Sequence, residues 1–520
     1  MKLPGLLALA FLIAIVALGL GGLVLAGGSG RPVPWDYAFG IVRISLIQAG
    51  LSTVLSLLLG AGIALALARR PRFPGRSLVV AILNAATVLP AIVTVFAIVA
   101  VFGRSGWLGD LARLVGIPYG SWLYGLQGIL LAHIVLNAPL AARVLLAALS
   151  AISAEQWRLA AQLGMPPGAV FRFIDWPVLR REAPGVAALM FLACFSSFAI
   201  VLALGGGPAV STLEVAIFEA VRFEADFSRA AILAALQIGI CLAILAPLVF
   251  LISRRAAEAM PSGISAPRPD GAARATTLID GAVGVLTIVF IAIPLIAIVV
   301  SGIAELGSLL DDAVLRALGT SLAIGIPAGL LSVALAVGLA MLSRDLRLRS
   351  RLPRLADLTG IAALLILVVS PIALSAGLFV LLRQWLNPFA IGLPLVVIVN
   401  AMMALPFTYR QVEPPLVLAA ERFGRLGDSL GLRGWTRLRL LDWPLLRGPL
   451  IVAFAMATAL SLGDLGVAAF FGSGGLVTLP VLLEERLGAY RIDEAASVAL
   501  LLSLLVTTLF LAAQRFGARR

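Results

Sequence analysis

The chain has almost no lysine, histidine or cysteine. In 520 residues Lys2 is the only lysine and His133 the only histidine, and the cysteines are Cys194 and Cys241. A P-loop ends in Gly-Lys followed by Ser or Thr, so the sequence excludes ATP hydrolysis on a P-loop of its own. A single histidine argues against a metal centre. The two cysteines lie in separate apolar runs, which favours small buried hydrophobic side chains over a disulfide or metal ligands.

Charge is also scarce. Only 12% of the residues are charged and 61% are hydrophobic, whereas a soluble domain is about 25% charged. The formal net charge of +13 comes mainly from arginines in short segments between apolar runs. That distribution sets the orientation of a membrane protein and is a poor match to nucleic-acid binding. The composition therefore predicts an all-α integral membrane protein in contact with the lipid bilayer.

The apolar runs predict twelve transmembrane helices. Their expected positions are roughly 6–27, 40–68, 78–103, 126–149, 183–204, 229–253, 277–302, 315–343, 359–384, 390–408, 449–471 and 494–514. The first run is longer than the 7–15 residues typical of a signal-peptide core, which favours an anchor. Arginines are concentrated in one set of loops, so this set and both termini are expected to face the cytoplasm.

The sequence repeats itself in two parallel halves. A Pro-, Gly-, Ser- and Ala-rich segment at 254–276 separates a first half, 1–253, from a second half, 277–520. Residue numbers in matching positions differ by 267, as between Gly164 and Gly431 or between Pro139 and Pro406. Because each half has six predicted spans, both copies face the same way.

The most informative repeat is a basic segment with a turn. It reads LAAQLGMPPGAVFRFIDWPVLRR from Leu159 and LGDSLGLRGWTRLRLLDWPLLRG from Leu426. In each copy a Gly precedes the Pro of Asp-Trp-Pro by thirteen residues. Gly interrupts one helix and Pro begins or bends the next, so a helix–turn–helix is expected within the loops 151–182 and 415–448.

These segments have two interpretations. In the first copy Leu163, Val170, Phe171 and Ile174 are predicted to line one face, leaving Arg158 and Arg172 for an acidic partner surface. The alternative is a basic helix lying on anionic lipid. Two matched copies favour the docking of a two-fold partner.

The segments resemble the cytoplasmic "EAA" loop of ABC importer permeases. In that loop Gly follows the first motif residue by six positions and Pro follows it by nineteen. The two glycines, the apolar residues three before each proline and the prolines themselves match. The leading Glu-Ala-Ala is replaced by Arg158-Leu159-Ala160 and by Arg425-Leu426-Gly427. The Leu-Gly-Met turn and the acidic-Trp-Pro ending further resemble the fused thiamine ABC transporter permeases.

The resemblance implies a type I (MetI-like) importer permease with two pseudo-repeats of six helices, in a bacterial inner membrane. It implies partners as well: two copies of an ATP-binding cassette subunit that carry ATP and Mg²⁺, and a periplasmic solute-binding protein. The chain itself would be no enzyme and would bind no cofactor. The residues expected to contact the ATP-binding subunits are Arg158, Leu163, Gly164, Phe171, Ile174, Pro177, Arg425, Leu430, Gly431, Leu441 and Pro444.

The substrate side has weaker signals. Asp464 lies in a predicted span, and an acidic residue at that depth is a functional hypothesis by default. Asn137 and Ser197, which matches Asp464 in the repeat, are the other candidate pathway residues. A carboxylate would suit the thiazolium cation of thiamine, but hydrogen bonding between helices is the alternative. Other functions left open are a fused permease for ferric iron or another small solute, and a secondary transporter. The sequence offers no nucleophile–base pair for an enzyme.

Overall fold

The computed structural model consists mainly of helices in the residues that it describes. It describes residues 2–27, 33–207, 210–253, 268–271, 273–350, 352–383, 385, 392–432, 434–471 and 475–518. No strand occurs in these ranges. The predicted all-α class is confirmed, while most of the predicted linker, residues 254–267, lies outside the described ranges.

The described ranges contain twenty-three α-helices, which are numbered in chain order. They are α1 Lys2–Gly27, α2 Trp35–Arg69, α3 Arg76–Ala86, α4 Ala91–Phe102, α5 Trp107–Leu114, α6 Leu126–Ser150, α7 Ala154–Gln162, α8 Pro167–Val170, α9 Trp176–Phe195, α10 Ala199–Leu204, α11 Leu213–Arg222, α12 Phe227–Ser253, α13 Arg274–Thr287, α14 Ile293–Ala304, α15 Asp312–Arg344, α16 Pro353–Leu365, α17 Pro371–Leu382, α18 Gly392–Ser429, α19 Gly434–Arg437, α20 Trp443–Leu462, α21 Gly466–Phe471, α22 Leu479–Gly488 and α23 Ile492–Ala518. Short π-helical turns cover Phe171–Asp175, Ile288–Ala292, Asp345–Arg349 and Leu438–Asp442, and 3₁₀ turns cover Leu306–Leu310 and Ile366–Val368.

Ten helices in the described ranges are long and apolar enough to cross a membrane. They are Leu3–Gly27, Trp35–Arg69, Ala91–Leu114, Leu126–Ser150, Phe227–Pro247, Arg274–Ala304, Asp312–Leu348, Gly392–Gly424, Arg439–Leu462 and Ile492–Phe516. The pair Pro353–Val368 and Pro371–Leu382, bent by 86°, makes eleven if it is one span.

The predicted count of twelve is therefore not confirmed. The expected span 183–204 falls on α9 and α10, which are separated by a break at residues 196–198. Arg180, Arg181 and Glu182 lie in the first half of α9, so its uninterrupted apolar length is too short for a membrane span.

The chain forms two compact units that do not follow the order of the sequence. Unit 1 contains Met1–Phe39, Leu213–Gly239 and Glu305–Arg520, and unit 2 contains Gly40–Thr212 and Ile240–Ala304. In unit 1, α15 packs on α18 and α20, α20 packs on α23, and α1 packs on α15 and α17. A Cβ on Gly377 of α17 would lie 1.6 Å from the carbonyl oxygen of Gly19, so glycine is required for this close approach.

Unit 2 is organised around α6. This helix packs on α3, α4, α9 and α10, and α14 packs on α4. Nearly the whole of α4 is buried, including Phe96 and Ile98. Near the end of α6 a cluster of buried residues continues into the first repeated segment, and this packing fixes the position of that segment. Its members are Ala64, Leu145, Leu149, Ile152, Trp157, Val170 and Leu179.

Candidate functional site

The two repeated segments fold into the same backbone motif. We call residues 154–176 the first elbow, in unit 2, and residues 421–443 the second elbow, in unit 1. Each contains a helix, a tight turn, a one-turn helix and a π-helical turn. The long helices that follow, Trp176–Phe195 and Trp443–Leu462, begin and end at matching positions. The helix–turn–helix expected from the sequence is present in both copies.

The glycines of the elbows terminate their first helices. Gly164 has φ +57° and Gly431 has φ +65°, in the left-handed region that side chains disfavour. The amide of Met165 donates to the carbonyl of Ala160 at 3.1 Å, and that of Leu432 donates to Gly427 at 2.8 Å. These bonds correspond to the long bond of a Schellman cap. The sharp turn is therefore set by the backbone conformation of glycine.

The Asp-Trp-Pro ending has a different role for each residue. Pro177 and Pro444 lie in the first turn of α9 and α20, where the missing N–H costs no helical hydrogen bond. Trp176 and Trp443 are exposed, whereas Asp175 and Asp442 are buried.

Both buried aspartates are paired with arginine. The guanidinium of Arg268 donates to Asp175 through Nη1 at 3.1 Å and Nη2 at 2.7 Å. Arg344 donates to Asp442 through Nη1 at 2.8 Å. A buried carboxylate requires such a partner, so these pairs anchor the elbows.

The electrostatics of Asp175 and Arg268 follow from their burial. Burial raises the pKa of the Asp175 carboxyl above its ordinary value, against the opposing effect of the Arg268 guanidinium. Burial alone would lower the pKa of Arg268, but its hydrogen bonds to Asp270 and Asp175 outweigh this and raise the pKa. Arg268 therefore stays charged in the folded protein.

The elbows expose apolar side chains at matching positions. Leu163 and Leu430, beside the glycine turns, are 67% and 63% exposed. Three further pairs, each 267 residues apart, are exposed as well: Leu159 and Leu426, Phe173 and Leu440, and Trp176 and Trp443. Exposed apolar groups that share one surface are typical of a protein contact, although Leu440 and Trp443 also lie within the candidate membrane span Arg439–Leu462. The two elbows therefore present exposed apolar side chains in the same layout.

The other predicted contact residues have mixed surroundings. Arg158 and Phe171 are exposed, and Ile174, Leu441, Pro177 and Pro444 are half-buried. The side chain of Arg425 lies outside the described part of the chain. Val170, which was expected on the same face as Leu163, is instead buried against Trp157 and its neighbours. In place of Val170, the exposed faces include Phe173 and Leu440, which the sequence reasoning missed although the 267-residue offset pairs them.

The elbows differ at their entry. In the first, α6 ends at Ser150 and α7 begins anew, because Ser153 accepts a hydrogen bond from the amide of Gln156 at 3.4 Å. In the second, Ala420 occupies the position that matches Ser153. Alanine offers no cap and favours the helix, so α18 continues unbroken to Ser429.

Asp464 and Ser197 occupy a second pair of matching sites. Both lie in short breaks, between α20 and α21 and between α9 and α10. The Asp464 Oδ2 atom accepts a hydrogen bond from the amide of Val467 at 3.2 Å, so the carboxylate caps α21. Asp464 remains half-buried rather than fully enclosed.

The polar residues of α6 form contacts inside unit 2. Asn137 donates through Nδ2 to the Cys194 Sγ atom at 3.3 Å, and His133 Nδ1 lies 2.8 Å from Nε2 of Gln48. These contacts join neighbouring helices, as polar side chains in membrane helices commonly do. Within the described residues, no group of three or more His, Cys, Asp or Glu side chains is arranged to hold a metal ion.

Comparison with known proteins identifies relatives that match along nearly the whole chain. No protein-family model matches. The thiamine transport system permease protein of Brucella melitensis is 43% identical, over 99% of this chain and 95% of the relative. Its namesake from Escherichia coli is 40% identical over 93% and 90%. That from Haemophilus influenzae is 35% identical over 97% and 94%.

These similarities confirm the resemblance that the repeated elbows indicated. They extend through both elbows and through the helices of both units, so they are not confined to one motif. The chain belongs to the family of thiamine transport system permease proteins, the fused two-half permeases of ABC transporters.

Proposed function

We propose that this chain is the membrane subunit of an ATP-driven importer for thiamine or its phosphates, located in a bacterial inner membrane with both termini in the cytoplasm. Two copies of an ATP-binding cassette subunit supply ATP and Mg²⁺ chemistry, and a periplasmic solute-binding protein delivers the substrate. The observation that carries this proposal is the pair of elbows with matching exposed apolar surfaces, in a chain similar over its length to thiamine transport system permease proteins.

The elbows are suited to transmit movement. Each is capped by a glycine turn and anchored by a buried ion pair, and it leads directly into a helix of twenty residues, α9 or α20. A displacement of the exposed surface therefore moves a long helix as one piece. ATP shifts the permease between inward- and outward-facing states only if the elbows bind the two nucleotide states of the partner differently.

The proposed pathway residues are Asp464, Asn137 and Ser197. Asp464 is the strongest of them, because it is half-buried and carries a charge opposite to that of the thiazolium ring. Its capping bond to Val467 allows the effect of charge to be separated from the effect of the cap.

Asp464→Asn is expected to raise the KM for thiamine about fivefold, the equivalent of about 1 kcal/mol. Asparagine caps a helix nearly as well as aspartate, so the melting temperature of the purified protein stays the same. Asp464→Ala is the control: it removes the cap and lowers stability by about 1 kcal/mol. Wild-type uptake kinetics in the Asn variant would assign Asp464 to the capping role alone.

Uptake of radiolabelled thiamine tests the proposed function. The complete transporter is expressed in a strain that lacks its own thiamine importer, with either wild-type or catalytically inactive ATP-binding subunits. We expect accumulation only with this chain and with active subunits. Uptake that survives the inactive subunits would indicate a secondary transporter, and no thiamine uptake beside uptake of ferric iron would indicate the alternative substrate.

A further inference from the structure

The anchors of the two elbows come from different parts of the chain. Asp442 of the second elbow pairs with Arg344, the last residue of α15. The helix α2 also ends on an arginine, Arg69, yet the anchor of Asp175 in the first elbow is Arg268. Arg268 lies within the segment that joins the two sequence halves.

Arg268 is held by contacts on several sides. Besides its two bonds to Asp175, it donates to Asp270 through Nε and Nη2, both at 3.0 Å. Its guanidinium carbon lies 4.2 Å from the ring centroid of Trp157, which belongs to the buried cluster under the first elbow. The planar guanidinium thus satisfies two carboxylates and stacks on the elbow at the same time.

Asp270 connects Arg268 with Arg69, the last residue of α2, through ion pairs. It accepts from Nε of Arg69 at 3.3 Å, and Arg69 also donates to Asp280 of α13 at 2.9 Å. Asp270 and Asp280 are buried. In the first elbow, Arg268 and Asp270 therefore lie between Arg69, the last residue of α2, and Asp175. In the second elbow, Arg344 at the end of α15 contacts Asp442 directly.

We propose that Arg268 is a positioning residue for the first elbow, so that residues 268–270, at the described end of the segment between the halves, hold the coupling surface in place. The geometry stands on the contacts of unit 2 alone, but its role in transport rests on the proposed function. Removing the Arg268 charge takes from Asp175 the buried counter-ion it pairs with, whereas Asp270 keeps Arg69, and this frees the first elbow to leave its position. The second elbow keeps its own anchor.

Hydrogen exchange of the purified full-length protein tests the geometry without reference to any substrate. In Arg268→Gln, amides of residues 154–176 should exchange roughly tenfold faster, while those of 421–443 keep their wild-type rates. Arg344→Gln should give the reverse pattern. Arg347→Gln, which breaks the exposed ion pair with Asp357, is the control, and we expect it to leave the exchange rates of both elbows unchanged. Equal acceleration in both elbows, or none in the first, would overturn the proposal.

A double variant separates positioning from simple stability. Asp175→Asn with Arg268→Gln removes one charge of each sign, so the balance of the buried network is restored. We expect the melting temperature to recover, while the ratio of thiamine imported to ATP hydrolysed stays about tenfold below wild type, as in Arg268→Gln. A ratio that recovers together with the melting temperature would reduce Arg268 to a structural residue. If the variants show the expected exchange pattern but the wild-type protein imports no thiamine, the proposed function alone is contradicted.

Discussion

Replacing Gly164 and Gly431 together by valine is expected to lower thiamine uptake about tenfold, while the ATP-binding subunits continue to hydrolyse ATP. Both glycines have positive φ values, +57° and +65°. A β-branched residue in this region costs about 1–2 kcal/mol at each site, so each turn is pushed toward other conformations. The measurement is uptake and ATP hydrolysis by the same reconstituted transporter.

The expected loss comes from the backbone and not from crowding. A Cβ added at either glycine meets no other atom within 4 Å. We therefore expect the capping bonds from Met165 to Ala160 and from Leu432 to Gly427 to open because valine disfavours the φ value, and the proposed transmission of movement to α9 or α20 to be lost.

Gly168→Val is the matched control for this experiment. Gly168 lies in the first elbow, also with open space around it, but its φ is not in the positive range. We expect near-normal uptake in this variant. Normal uptake in the Gly164→Val and Gly431→Val double variant would contradict the assigned role of the elbows, and an equal loss in Gly168→Val would show that any bulk in the loop is harmful.

The second large effect is expected from charge on the exposed surfaces. Leu163→Asp combined with Leu430→Asp should weaken the binding of the ATP-binding subunits by at least about 30-fold, because each leucine contributes about 2 kcal/mol when it is buried in a partner groove. Both side chains are largely exposed in the isolated chain, so folding is not affected. Surface plasmon resonance with the permease in lipid nanodiscs measures the affinity directly.

Leu310→Asp provides the comparison for this pair. Leu310 is 79% exposed and lies in a short turn between α14 and α15, outside both elbows. It should leave the affinity unchanged. An unchanged affinity in the Leu163→Asp, Leu430→Asp variant would favour the alternative interpretation, in which the elbows rest on anionic lipid.

The repeat made the elbows predictable from the sequence. Gly and Pro carry local backbone requirements, so a Gly that precedes a Pro by thirteen positions in two copies was enough to predict a turn followed by a helix. The sequence shows only that Asp175 and Asp442 occur at matching positions of the repeat. Their burial depends on tertiary packing, which a local sequence pattern does not predict.

The partner of Asp175 could not have been predicted. Arg268 is 93 positions away along the chain, and in the second elbow the contact to the matching Asp442 is made by Arg344 at the end of α15. The number of membrane spans could not be predicted from local hydrophobicity either. Hydrophobicity marks apolar length, but it does not show that α9 and α10 are separate or that α16 and α17 meet at a bend of 86°.

The central claim is that both elbows contact ATP-binding subunits. Photo-cross-linking from benzoylphenylalanine placed at Leu163 or at Leu430 in the assembled, thiamine-importing transporter tests it most directly. We expect a cross-link to an ATP-binding subunit from each of the two positions. A transporter that imports thiamine but gives no such cross-link from either position would contradict it.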